Sequence, residues 1–333
     1  MIVRRRIGQL APLAVALLVG LVALVAEPGF YDATNLKNVA RQAAFLGVVA
    51  LGQLLVVIVR GLDLSVGAVI TTTLLLIVEI AGTRGGSVPA ALVAVVAMAI
   101  AVGTLNAVLV VVRRVPAILA TLGTYVFVQG IGLWVTGGRS RGRVPDAIKP
   151  LGTGQVGPVP TSVIITAAVA IVVAGILDRG AFGRTMYAVG SNPEASYLSG
   201  VARRRVAALA FIASAVLAMV SGLMLSGFVG FYDRSLGVGY DLDSIAAVVL
   251  GGASLAGGSG TVAATLAAVV GLAALDNLLL IIGVDQSIQL IGKALVLFAA
   301  VLSAGWLSSS RFEDTARTAE AVATPPREKG VRG

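Results

Sequence analysis

The sequence predicts an all-α, polytopic membrane protein of about ten transmembrane helices, one of them short or broken. Three observations carry that expectation. The chain is 57% hydrophobic and only 12% charged, with a mean hydropathy of +0.97; an ordinary soluble domain has about a quarter of its residues charged. The apolar residues fall in runs, several of 17 residues or more. At ~1.5 Å rise per residue, such a run reaches most of the way across a hydrocarbon core of ~30 Å. Lys and Arg gather in alternate connections between the runs, the pattern of cytoplasmic loops.

The first run, Leu10–Ala26, follows Arg4, Arg5 and Arg6. It is too long for the apolar region of a signal peptide and has no small-x-small cleavage site before Glu27-Pro28, so it reads as a retained helix. The next spans are Ala43–Val59, Ser65–Ala81, Val88–Val112, Ala117–Thr136, Val159–Leu177 and Val206–Val229. The eighth, Leu242–Ala256, is short and contains Asp243, Gly251 and Gly252. A tilted, broken or re-entrant helix fits there, and bilayer physics permits one only where protein or a water cavity satisfies the backbone. Thr261–Gly283 and Ser287–Leu307 complete the series, so residues 1–310 form one transmembrane domain. The tail, residues 311–333, has no apolar period and is expected to be a disordered cytoplasmic segment.

With the N-terminus inside, 16 of the 25 Lys and Arg residues lie in inside segments, 8 lie outside, and Lys293 falls within a span. That bias places both termini and the segment Asp178–Arg205 in the cytoplasm. It also accounts for the net charge of +9 without a nucleic-acid partner. The outer loop Gly137–Pro158 is nevertheless basic, and its Gly and Pro mark it as a loop packed on the outer surface. The chain has no Cys and no His. Disulfides, most transition-metal sites and His- or Cys-based catalysis are thereby excluded.

Asp178–Arg205 is longer than a plain connector needs to be. Asn192 is placed to cap a helix, Pro193 suits its first position, and Glu194 favours its positive end. Gly200 can close it with a left-handed residue. A helix of about two turns over Pro193–Ser199 is expected, with Arg203, Arg204 and Arg205 anchoring the next span at lipid headgroups.

Glu194-Ala195-Ser196, followed after three residues by Gly200, resembles the Glu-Ala-Ala-x-x-x-Gly loop of ABC importer permeases. The stretch Gly183–Asn192 resembles the simple-sugar branch, which carries ribose, xylose and galactose. Gly61-Leu62-Asp63-Leu64-Ser65-Val66-Gly67, Pro116–Gly123 and the glycine-rich stretch from Leu242 through Gly260 resemble further signatures of that branch, in the same order. Asp276-Asn277-Leu278 departs from the branch's usual Asn-Asn-Gly, and Pro193 stands before Glu194 where the branch has Glu or Asn. The resemblance implies a permease subunit in a bacterial inner membrane that docks an ATPase through Gly183, Arg184, Asn192, Glu194, Ala195 and Gly200. Its implied partners are a cytoplasmic ATPase that binds ATP and Mg, an extracytoplasmic solute-binding protein, a second permease copy, identical or paralogous, and the surrounding lipid. No cofactor or metal is expected on this chain.

Polar residues at membrane depth are candidates for the solute pathway because their burial is costly. Gln53, Asp63, Ser65, Asn106, Thr121, Ser254 and Asn277 are such groups, with Gly251 and Gly252 allowing irregular backbone. Asp63 also reads as a helix cap, and the uncharged groups also read as helix-packing contacts. Gly103, Gly123 and Gly130 are expected to let helices approach closely. The last two spans form a hairpin near Val284, with Asp276 8 residues before it and Lys293 9 after it. An intramembrane ion pair between them would offset the burial of each charge; cation transfer is the rival role. Gly251–Gly260 lacks the Lys-Ser or Lys-Thr of a nucleotide loop, so this chain is not expected to hydrolyse ATP; in the permease reading the energy source is a separate subunit. A permease for branched-chain amino acids and an ion-coupled secondary transporter are the alternatives, and an integral membrane enzyme fits less well.

Overall fold

The computed structural model describes residues 28–82, 86–137, 142–285, 288 and 291–292. The predicted first span, nearly all of the tenth, Lys293 and the tail lie outside them. The described helices belong to one compact unit ending at Gln289, and its centre is a single helix. After a 3-10 turn at Pro28–Tyr31, α1 runs over Ala33–Ile58, and 89% of its apolar window is buried. Its Leu, Val and Ala side chains are apolar on all sides, so the helix is stable only when surrounded.

Helices α6 (Thr161–Ala174), α9 (Arg203–Val229) and α11 (Val262–Ile281) pack on it directly, while α2 (Val66–Ala81), α3 (Val88–Ala107) and α4 (Ala117–Thr136) pack on one another beyond α9. Between α4 and α6 lie the one-turn helix α5 (Lys149–Thr153) and a two-stranded ribbon, β1 (Gln155–Val156) and β2 (Val159–Pro160). Helix α9 packs on α1, α2 and α3, and α11 packs on α1. By contrast, the apolar windows of α3, α4 and α6 are only 33%, 28% and 28% buried. Apolar surface left open on this scale marks a face that meets lipid or another subunit. Helices α3 and α6 each end in a π turn, Val108–Val112 and Gly175–Arg179, at the end of the bundle where α1 also ends.

Eight of the ten predicted spans contain a described helix, and six described helices are long and apolar enough to cross a membrane. The eighth prediction resolves into a half-helix. Here α10 (Tyr240–Leu250) has 11 residues, about 16 Å at 1.5 Å per residue, too short for a ~30 Å core. After α9 the chain is tied by the Val144 N–H to the Gly230 carbonyl (2.9 Å). It then turns back between the helices, where the Gly237 N–H donates to the Thr71 hydroxyl of α2 (3.1 Å). A Cβ on Gly237 would collide with the Gly67 carbonyl, so only glycine permits this approach. The re-entrant backbone is thus satisfied by protein. The described part of the basic loop between α4 and α6, from residue 142 on, is likewise packed, with Val144 and Ile148 buried and α5 seated against α9.

The glycine expectation is corrected in part. Gly103 does bring α3 against the backbone of Ile212 and Phe211 on α9. Gly123 and Gly130, by contrast, have nothing within 4 Å of where a Cβ would stand. They lie on the open face of α4 and mediate no packing within the described residues.

Candidate functional site

The segment Asp178–Arg205 forms two helices rather than one. α7 covers Ala181–Ser191 and α8 covers Pro193–Leu198, one residue shorter than predicted. Along α7, Gly183, Met186, Val189 and Gly190 are buried, a helical stripe that seats it on the bundle. Gly183 lies so close to the carbonyls of Ile176 and Leu177 that a Cβ would strike both. Asn192 caps α8 as predicted, its side-chain oxygen accepting from the Ala195 N–H at 3.0 Å. Gly200 follows with φ +77, and its N–H and that of Val201 close the turn onto the Tyr197 and Ser196 carbonyls. Helix α8 is therefore a rigid projection. Its surface carries exposed Glu194 and Ala195, with Tyr197 62% and Leu198 80% exposed. Arg203 lies over the Tyr197 ring at 5.2 Å, and Arg184 on α7 is also exposed. Exposed aromatic and aliphatic anchors beside charge are the composition of a protein-docking surface.

Five pathway candidates meet in one cluster at the turn between α1 and α2. The Asp63 carboxylate accepts from the Ser65 N–H (3.0 Å) and the Ser65 hydroxyl (2.6 Å). The Asn106 amide of α3 donates to the Ser65 hydroxyl at 2.8 Å and lies 3.5 Å from the carboxylate. Gln53 of α1 grips the Asp63 backbone, donating to its carbonyl at 3.1 Å and accepting from its N–H at 3.2 Å. The Thr121 hydroxyl of α4 accepts from the Leu64 N–H at 3.1 Å. The buried Ser214 hydroxyl of α9 faces the same carboxyl without a hydrogen bond to it. Gln53, Asp63, Ser65, Asn106 and Thr121 are all 0% exposed. Charge-assisted bonds of this kind hold one oxygen of the buried carboxylate, Oδ1, and fix the backbone path of the turn; among the described residues Oδ2 and the Asn106 side-chain oxygen make no hydrogen bond. Asp63 caps no helix: its bond to Ser65 is a local turn, and Ser65 stands at the start of α2 without a capping bond of its own.

The glycine-rich segment meets the base of α7. The Gly258 N–H donates to the Ile58 carbonyl at the end of α1 (2.9 Å), and the Tyr187 hydroxyl of α7 donates to the Gly260 carbonyl (2.8 Å). Arg60 donates from Nε to the Gly190 carbonyl (2.6 Å) and from Nη2 to the Ser191 carbonyl (2.8 Å). Ser254 organises the segment itself, its hydroxyl accepting from the Ala256 N–H and its N–H meeting the Ser259 hydroxyl, both at 3.2 Å. Gly251 rests on the backbone of Thr265, and Gly252 has φ +80. Sequence reading counted Arg60 only as a topology charge and passed over Ser214. Arg60 stands beside the Gly61–Gly67 signature, the one signal that could have drawn attention to it.

Asn277 lies apart from both clusters and accepts from the Asn35 amide at 2.8 Å, joining α11 to the start of α1. Asp276 lies within electrostatic reach of Tyr240 at the start of α10. Its predicted partner Lys293 is outside the described residues.

The profile of a family described as "Branched-chain amino acid transport system / permease component" matches residues 35–302, which takes in the bundle from the first turn of α1. The chain belongs to this permease family. The permease is 32% identical over 320 residues to the ribose import permease protein of Haemophilus influenzae, covering 92% of this chain and 95% of that one. It is 34% identical over 294 residues to the ribose import permease protein of Escherichia coli K12, covering 86% and 91%. It is also 33% identical over 270 residues to the autoinducer 2 import system permease protein of Salmonella typhimurium, covering 80% and 78%. No solved structure matches it at a significant level. The permease is thus a multi-pass membrane transport subunit, as its apolar helices require.

Proposed function

We propose that the permease forms the membrane pathway of an ATP-driven importer for a monosaccharide or a similar small polyhydroxyl solute. The carrying observation is its likeness, over 80% or more of its length, to permeases named for ribose and autoinducer 2 import. The family description names branched-chain amino acids, but these relatives are not named for amino-acid import. ATP is hydrolysed on a separate subunit that grips α8 through Glu194, Ala195, Tyr197 and Leu198, while a solute-binding protein and a second permease copy complete the complex. In this reading both termini and α8 face the cytoplasm of a bacterial cell.

The buried cluster at the α1–α2 turn holds that turn shut, and its residues line a solute route only in a state where the turn opens. Ser254, Gly251 and Gly252 provide irregular backbone for such a change. Asp276 and Lys293 form an ion pair within the last two spans.

Uptake of labelled ribose into proteoliposomes holding permease, ATPase and binding protein tests the reading. Uptake should require internal ATP, and Glu194→Arg should abolish stimulation of ATP hydrolysis by loaded binding protein. Uptake driven by a proton or sodium gradient without ATP would overturn the class; unchanged stimulation in Glu194→Arg would overturn docking at α8. For the ion pair, Asp276→Asn and Lys293→Met should each lower the yield of folded protein, and the double variant should recover part of it.

A further inference from the structure

We infer that Arg60 is a positioning residue that clips the ATPase-docking unit, α7 and α8, to the central helix of the bundle. The inference rests on the docking role proposed for α8.

Three segments interlock at Arg60. Its guanidinium holds the carbonyls of Gly190 and Ser191 at 2.6 and 2.8 Å. These belong to the last residues of α7, where carbonyls lack partners within the helix and the helix dipole is negative. Its stem fills the space beside Gly257, where a Cβ would collide with the Arg60 Cγ. Gly258, in turn, bonds the Ile58 carbonyl at 2.9 Å and leaves no room for a Cβ beside Ser191. On Gly190 a Cβ would strike the Ile58 carbonyl. Backbone touches backbone on all three sides, so none of the segments can slide without the others.

Arg60 also holds φ +67, a left-handed conformation that an L-residue keeps only where its surroundings fix it. Its connections run both ways along the chain. Asn192, the residue after the second carbonyl it holds, caps α8. Asp63, three residues after it, is the centre of the buried cluster. The glycine-rich segment it touches joins α10 to α11. A push on α8 therefore reaches α1, the α1–α2 turn and the half-helix α10 through one contact set. Arg60 itself is exposed, so its replacement leaves no buried charge unpaired.

The test uses the assembled complex of permease, ATPase and binding protein in proteoliposomes. Arg60→Met should keep the ATPase subunit bound and its basal hydrolysis unchanged, while ribose imported per ATP hydrolysed falls on the order of tenfold. Arg60→Lys, which keeps the charge and one donor, should recover part of that ratio. Tyr187→Phe removes the hydroxyl bond to Gly260 and should lower the ratio less; it serves as the deciding variant if Arg60→Met does not assemble. An unchanged import-per-ATP ratio in Arg60→Met, or in Tyr187→Phe where that variant decides, overturns the inference. A wild-type complex that shows no solute stimulation overturns the docking reading instead.

Discussion

Thr121 isolates the polar cluster at the scale of one residue. Thr121→Val keeps the shape of the side chain but removes the acceptor for the Leu64 N–H at 3.1 Å. An orphaned buried donor costs about 1–3 kcal/mol, so the variant should melt at a lower temperature than wild type in detergent. Ser199→Ala, at an exposed site, should stay within about 0.5 kcal/mol of wild type. Equal melting of the two variants would remove the structural weight placed on the cluster. Each member was visible in the sequence as a polar group at membrane depth. Their meeting was not, because Gln53, Asp63, Asn106 and Thr121 come from four segments that only packing brings together.

Helix α8 is the clearest case at the scale of an element. Asn192, Pro193, Glu194 and Gly200 are local instructions, and the helix forms where they place it. Asn192→Ala should cost about 1 kcal/mol of local stability, whereas Asn192→Asp should keep the cap. Faster amide exchange over residues 194–198 in the alanine variant alone would confirm this; equal exchange in all three would contradict it. Gly200→Ala places a Cβ at φ +77, a further cost of about 1–2 kcal/mol, read by the same exchange. Local signals fell short for α7, whose short burial stripe has no capping residue, and for α10. The apolar run Leu242–Ala256 is long enough to suggest a span, but its entry point is set by the contact of Gly237 with Gly67 and Thr71 on another helix.

At the scale of the whole molecule, the bundle is ordered by how much surface each helix hides. α1 is wrapped on all sides, while α3, α4 and α6 keep open apolar faces toward lipid or a second subunit. The chain has no Cys, so single-cysteine labelling can read its orientation directly. Ser199→Cys should react with a membrane-impermeant maleimide only from the cytoplasmic side, and Gln155→Cys only from the opposite side; the reverse result would invert the proposed topology. Hydropathy, charge bias and capping residues act through the bilayer and through near neighbours in the chain. The sequence by itself therefore determined the helical class, the placement of most spans and the projecting helix α8. The half-helix α10, the sealed cluster around Asp63 and the junction at Arg60 depend on contacts between residues from 41 to about 200 positions apart. Only the tertiary structure decided them, because a hydrogen bond or a glycine-to-backbone contact carries no local pattern until packing brings its partners within reach.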